Sequence, residues 1–126
     1  MAKILILDDD VKTAEFCQEI LEPMGHDVTT ALSARQFIKC IHQGKYDLLI
    51  SDINMPEMDG FICCYKVLKI RPEIKILIMT SLVSLDEVVE DILKKSPFNF
   101  LRKPFSMDTF AAAVKTALEN KNPVRV

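Results

Sequence analysis

The chain is 126 residues long, 49% hydrophobic and 27% charged, which suits one globular core and is too short for two domains of ordinary size. Its 16 Lys and Arg stand against 18 Asp and Glu, a net charge of −2, so no bulk attraction to nucleic-acid phosphates or anionic membranes is expected. No apolar run approaches the ~20 residues of a membrane span. The opening MAKILILDDD has no signal-peptide pattern, and a soluble, cytoplasmic protein is expected. The four cysteines (Cys17, Cys40, Cys63, Cys64) lack C-x-x-C spacing, and His26 and His42 have no ligand-spaced partner. Buried or half-buried thiols are therefore expected, without disulfides or zinc.

Short solid apolar runs alternate with helical spacing along the chain, the pattern of strands buried on both faces between amphipathic helices. Residues 4–7 read as the first strand. A first helix follows with Cys17, Ile20, Leu21 and Met24 on its apolar stripe and an end near Gly25. Residues 26–31 are polar enough for an edge strand. Ser33 is a natural cap for a second helix that carries Ala34, Phe37, Ile38 and Ile41 on one face and closes at Gly44.

Residues 47–51 form the third strand, running into a turn, NMPEMDG, at 54–60. The third helix presents Phe61, Cys64, Tyr65 and Leu68, and Pro72 forbids its extension. Residues 74–79 are the fourth strand, and Leu85, Val88, Val89 and Ile92 mark a fourth helix. Residues 98–102 read as a short fifth strand at the other edge, with Pro97 tolerated at its start. The last helix begins after Ser106, with Met107, Phe110, Ala111 and Val114 on one face. One domain over 1–120 and a frayed tail over 121–126 are expected.

Strict alternation with right-handed crossovers implies an α/β, doubly wound, three-layer sandwich: a five-stranded parallel sheet with helices on both sides. The polar second and fifth strands favour the flavodoxin-like order 2-1-3-4-5, with ligands bound beyond the carboxyl ends of the strands.

The chemically informative residues all fall at those carboxyl ends. Asp8, Asp9 and Asp10 follow the first strand, Asp52 ends the third, Thr80 and Ser81 end the fourth, and Lys103-Pro104 follows the fifth. Clustered carboxylates repel one another unless a cation sits among them, and hard oxygen donors suit a partly hydrated Mg²⁺. With Lys103 as a second positive centre, the pocket suits a tetrahedral anion such as phosphoryl. A carboxylate facing both cations is a competent nucleophile toward phosphorus, and Asp52, alone after a central strand, is the best placed. Taken singly, an Asp run is ordinarily a solvated turn or helix cap, the role expected of Asp10, and a Lys-Pro pair ordinarily a loop. Their coincidence at successive strand ends argues for a site.

These motifs together resemble the response-regulator receiver domain of bacterial two-component systems, over essentially the whole chain. ILILDDD is similar to the family's first strand and acidic pair, DLLISDINMPEMDG to its phosphoacceptor segment, IMTS to its hydroxyl-bearing strand and FLRKPF to its lysine-proline turn. The resemblance implies that Asp9 binds Mg²⁺ directly, Asp8 through water, that Asp52 accepts the phosphoryl group, and that the Asn54 backbone carbonyl completes the ligands. It also implies a cis Lys103–Pro104 bond, where the trans preference is only about 0.5–1 kcal/mol. The phosphoryl donor would be a histidine kinase, a phosphotransfer protein or a small phosphodonor. Phosphorylation would draw Thr80 inward and let Phe100 turn in behind it, changing the face made by the fourth helix, fifth strand and fifth helix for a protein target or an output domain outside this chain. The receiver would promote its own phosphotransfer and dephosphorylation.

Some positions depart from the family pattern. Phe100 stands where Tyr is common, which leaves only the packing part of such a switch, and Ser96-Pro97 replaces the usual Gly-Ala. Bulky Leu82, two residues past Thr80, is expected to shield an acyl phosphate from water. An aspartyl-phosphate phosphohydrolase would carry a second Asp two residues after its nucleophile, where this chain has Asn54. A flavin-binding reading lacks its Gly/Ser/Thr-rich phosphate cradle. A receiver-like interaction module that is not phosphorylated stays open.

Overall fold

Solid apolar runs become the centre of the sheet. In the computed structural model, which describes residues 2–55, 58–80 and 98–119, five strands pair in parallel: β1 (Lys3–Leu7), β2 (Asp27–Ala31), β3 (Leu48–Asp52), β4 (Lys75–Thr80) and β5 (Asn99–Arg102). Their order is β2-β1-β3-β4-β5, as the alternation and the polar second strand imply. Helices α1 (Val11–Leu21), α2 (Ala34–Gln43), α3 (Gly60–Ile70) and the C-terminal α4 (Met107–Glu119) cover the sheet. Residues Asn54–Met55 and Met58–Asp59 add a short antiparallel ladder within the expected turn. The expected fourth helix, Ser81, Leu82, Ser96-Pro97 and the tail lie outside the described residues.

Because successive strand residues face opposite sides, the sheet divides the core in two. Ile4, Ile6, Leu48, Ile50 and Leu77 pack with Ala14, Cys17, Phe110 and Val114 from α1 and α4. On the other face, Leu5, Leu7, Leu49 and Ile78 pack with Phe37, Ile41, Cys64 and Val67 from α2 and α3. All four cysteines are free thiols, with Cys17 and Cys64 buried and Cys40 and Cys63 half-buried.

Helix ends follow capping chemistry. The side chain of Asp10 accepts from the Lys12 amide and that of Ser33 from the Gln36 amide, each satisfying a donor the first turn leaves open. The α-helical part of α1 stops at Leu21. A 3₁₀ turn, Glu22–Met24, carries the chain to Gly25 at φ 94°, a left-handed conformation that glycine adopts without steric cost.

Four residues expected on apolar stripes face outward. Met24, Ile38, Tyr65 and Met107 are all exposed. Met24 falls in the 3₁₀ turn, where the 3.6-residue stripe no longer holds. Phe37 and Ile41 are the α2 residues buried against the sheet, while Val67 and Cys64 do the same for α3. Nor is the fifth strand the polar edge its composition suggests: Asn99, Phe100 and Leu101 are buried. Asn99 satisfies its amide by donating Nδ2 to the Ile76 carbonyl at 2.9 Å.

Candidate functional site

Parallel pairing in register brings the carboxyl ends of β1, β3, β4 and β5 to one edge of the sheet. Asp8 leaves β1 fully buried, Asp52 ends β3 at 5% exposure, and Asp9 is exposed. Carboxylate oxygens of these three residues lie within 4.8 Å of one another. Lys103, arriving from the end of β5, donates Nζ to Asp8 Oδ2 at 3.2 Å and to Asp52 Oδ2 at 3.1 Å. The other oxygen of Asp8 accepts from the Asp10 amide at 2.9 Å.

The electrostatics follow from burial. Burial pushes the Asp8 carboxyl above its ordinary value, and the charge of Asp52 acts in the same direction, against the Asp10 amide and the Lys103 ammonium. For Lys103 burial alone would lower the ammonium, but the two carboxylates outweigh it and hold the group above its usual range. Asp10 is held below its usual value by hydrogen bonds from Thr13 and the Lys12 amide, consistent with its service as a cap. Cys17, beneath the pocket, is pushed up to about 12 by burial and by Asp8, which leaves it a neutral thiol.

Two buried carboxylates and one exposed one form a hard-oxygen donor set whose mutual repulsion a small dication relieves, so these residues fit Mg²⁺. Asn54 lies two residues beyond Asp52 and opens the short antiparallel ladder, paired with Asp59.

Thr80 ends β4 at 1% exposure, and its carbonyl accepts from the Lys103 amide at 2.7 Å, tying the lysine turn to the neighbouring strand. By alternation Thr80 shares a sheet face with Ile78, whose partner in register is Phe100. Phe100 is buried at 6% exposure in the core beneath α2 and α3. The Lys103–Pro104 peptide is cis.

Two features of the site escaped sequence reading. Lys103 reaches Asp8 as well as Asp52, a contact between residues 95 positions apart. Ser51, buried, donates its hydroxyl to the Asp52 carbonyl at 3.3 Å. Its only signal was a lone hydroxyl inside the apolar run LLIS.

The family model for the response regulator receiver domain matches residues 4–115. The transcriptional regulatory protein ZraR of Escherichia coli is 32% identical over 121 residues, 96% of this chain and 27% of its own length. The DNA-binding transcriptional regulator NtrC of Azospirillum brasilense is 30% identical over 122 residues, 97% of this chain and 25% of its own. The chain thus spans about a quarter of the length of these curated relatives. Among solved structures, a CheY-like receiver domain protein from Methanospirillum hungatei superposes with a TM-score of 0.82 at 27% identity, covering 96% of each chain. The chemotaxis protein CheY4 of Vibrio cholerae does so at 0.82 and 28% identity, covering 94% of this chain and 99% of its own.

Proposed function

The chain belongs to the response-regulator receiver family, and from that premise we propose that it is a cytoplasmic signalling switch phosphorylated on Asp52. The observation that carries this reading is the Lys103 ammonium held between Asp8 and Asp52 at 3.2 and 3.1 Å. A buried carboxylate with a cation against it suits attack on phosphorus.

Asp8, Asp9 and Asp52, with the backbone carbonyl of Asn54, would hold Mg²⁺. When bound, the ion offsets the charge on the transferring phosphoryl oxygens. One carboxylate oxygen of Asp52 attacks phosphorus. The P–N bond of a kinase or phosphotransfer-protein phosphohistidine breaks as the new P–O bond forms, and its electron pair leaves with the imidazole nitrogen. A small acyl phosphate would serve as donor in the same way, its carboxylate departing. Lys103 moves from pairing Asp52 to pairing a phosphoryl oxygen, and the Thr80 hydroxyl donates to another. In hydrolysis, water attacks phosphorus, releasing inorganic phosphate and regenerating the Asp52 carboxylate.

Drawing Thr80 toward the phosphoryl group frees space on the sheet face it shares with Phe100, whose repacking alters the surface presented by β5 and its flanking helices to a protein target or an output domain. Among the described residues no group beyond the Asp8, Asp9, Asp52 and Lys103 cluster stands as a general acid for rapid turnover, which favours a switch over a hydrolase.

The test is intact-protein mass after incubation with Mg²⁺ and acetyl phosphate, beside Asp52→Asn and an EDTA control. One labile phosphoryl group gained by wild type, and lost on substitution or chelation, is the expected result. A gain that survives Asp52→Asn would overturn the assignment. If acetyl phosphate gives no gain, a phosphorylated histidine kinase is the second donor, and failure with both would leave an unphosphorylated interaction module.

A further inference from the structure

The outward turn of Ile38 opens a groove. Between α2 and α3 lies a cavity of about 390 Å³ whose floor is Phe37, Ile41 and Val67, each under 5% exposed. Its rims carry Ile38, 55% exposed, and Ile70, 43% exposed. The lining follows helical spacing on both walls: Ala34, Ile38 and Ile41 on one side, and Cys63, Val67 and Ile70 on the other. The trough therefore runs along two helices, in a shape that accepts a third.

The two helices that wall it carry cations and no acids. None of the chain's 18 acidic residues falls within α2 or α3. Arg35 and Lys39 lie on α2, Lys66 and Lys69 on α3, and Lys45 and Arg71 just beyond their ends. His42 and Lys66 line the groove itself. Six of the chain's 16 Lys and Arg thus lie on or just beyond these two helices, with Lys66 in the trough itself, while Asp47, Asp59 and Glu73 stand beyond the helix ends.

We propose that the α2–α3 groove docks an amphipathic helix of a partner protein, its apolar i, i+3, i+4, i+7 stripe in the trough and acidic side chains on its flanks. The concave floor distinguishes this occupant from a lipid surface, which a protruding apolar ridge would suit. The groove lies on the helices rather than at the Asp52 pocket, so docking is independent of the phosphoacceptor reading.

The probe is a fluorescent helical peptide of about 15 residues, roughly four turns, with Leu on one stripe and Glu on both flanks. Its control replaces every Glu with Lys. Because the protein is net negative, bulk electrostatics favours the control, and preference for the Glu peptide reports the local cations. Anisotropy should show saturable binding of the Glu peptide only, with amide shifts of the isotope-labelled protein confined to α2, α3 and their ends. Ile38→Ser, an exposed substitution, and the charge reversal Lys39→Glu/Lys66→Glu should each weaken it about tenfold, with native dichroism retained. Equal binding of both peptides, shifts elsewhere on the protein, or insensitivity to both variants would overturn the proposal. So would binding only to phosphatidylserine vesicles, or concentration-dependent self-association through the same residues.

Discussion

Replacing Lys103 with Met removes a cation that Asp8 and Asp52 share while keeping most of the side chain's bulk. At 3.2 and 3.1 Å and an effective dielectric of about 20, each contact is worth about 5 kcal/mol of gross Coulomb energy. The net loss is smaller. Lys103 gives back its own cost of burial, and Asp8, whose carboxyl is already raised by burial, takes up a proton instead of remaining an unpaired anion. We expect about 2 kcal/mol of destabilisation at pH 7 without Mg²⁺, a fall of about 6–10 °C in Tm for a domain of this size. A carboxyl raised in the fold contributes stability below its unfolded value of 3.8 and loses it as pH climbs through the folded value. The deficit of the variant should therefore shrink as pH is lowered from 7 toward 5. Millimolar Mg²⁺ should restore more stability to the variant than to wild type, because the dication replaces the missing charge. Calorimetry at several pH values, with and without Mg²⁺, measures all of this. A variant as stable as wild type, with the same pH and Mg²⁺ dependence, would refute the claim that the lysine offsets buried like charges.

Asp9→Asn should weaken Mg²⁺ at least about tenfold by titration calorimetry while barely changing Tm without metal, since the side chain is exposed. Removing the α2 cap with Ser33→Ala should cost about 1 kcal/mol by urea unfolding, because the Gln36 amide loses its acceptor. Ile41→Ala should cost about 2–4 kcal/mol in the same assay and Ile38→Ala less than about 1, a contrast set by 3% against 55% exposure. Under native conditions iodoacetamide should spare Cys17 and Cys64, which are buried, and label at most Cys40 and Cys63, as peptide mapping would show.

The central strands were legible because residues 4–7, 48–50 and 76–79 are continuous apolar runs, the pattern of a sheet covered on both faces, and the polar second strand pointed to its place at an edge. The site was legible for a related reason: polar residues placed directly after such runs project from the same edge of a parallel sheet. What periodicity could not resolve was how wide each helix's buried stripe would be. Ala34, Phe37, Ile38 and Ile41 satisfy the same spacing, yet the sheet covers Phe37 and Ile41 and leaves Ile38 exposed. The burial of β5 was hidden too. Asn99 reads as polar until its side chain is seen donating to the neighbouring strand. Likewise, spacing along a chain says nothing about which of two acids a lysine 95 and 51 residues away will reach, and here it reaches both.

That double contact also orders events in the making of the protein. Asp8 and Asp52 are synthesised before Lys103, which comes into place only when β5 docks on β4. Until β5 docks, Asp8 and Asp52 lack this counter-charge, and burying both carboxylates requires one of them to take up a proton, a penalty that disfavours closing the carboxyl ends of β1 and β3. Docking of β5 on β4 therefore both adds the edge strand and supplies the cation that balances the charge of the pocket.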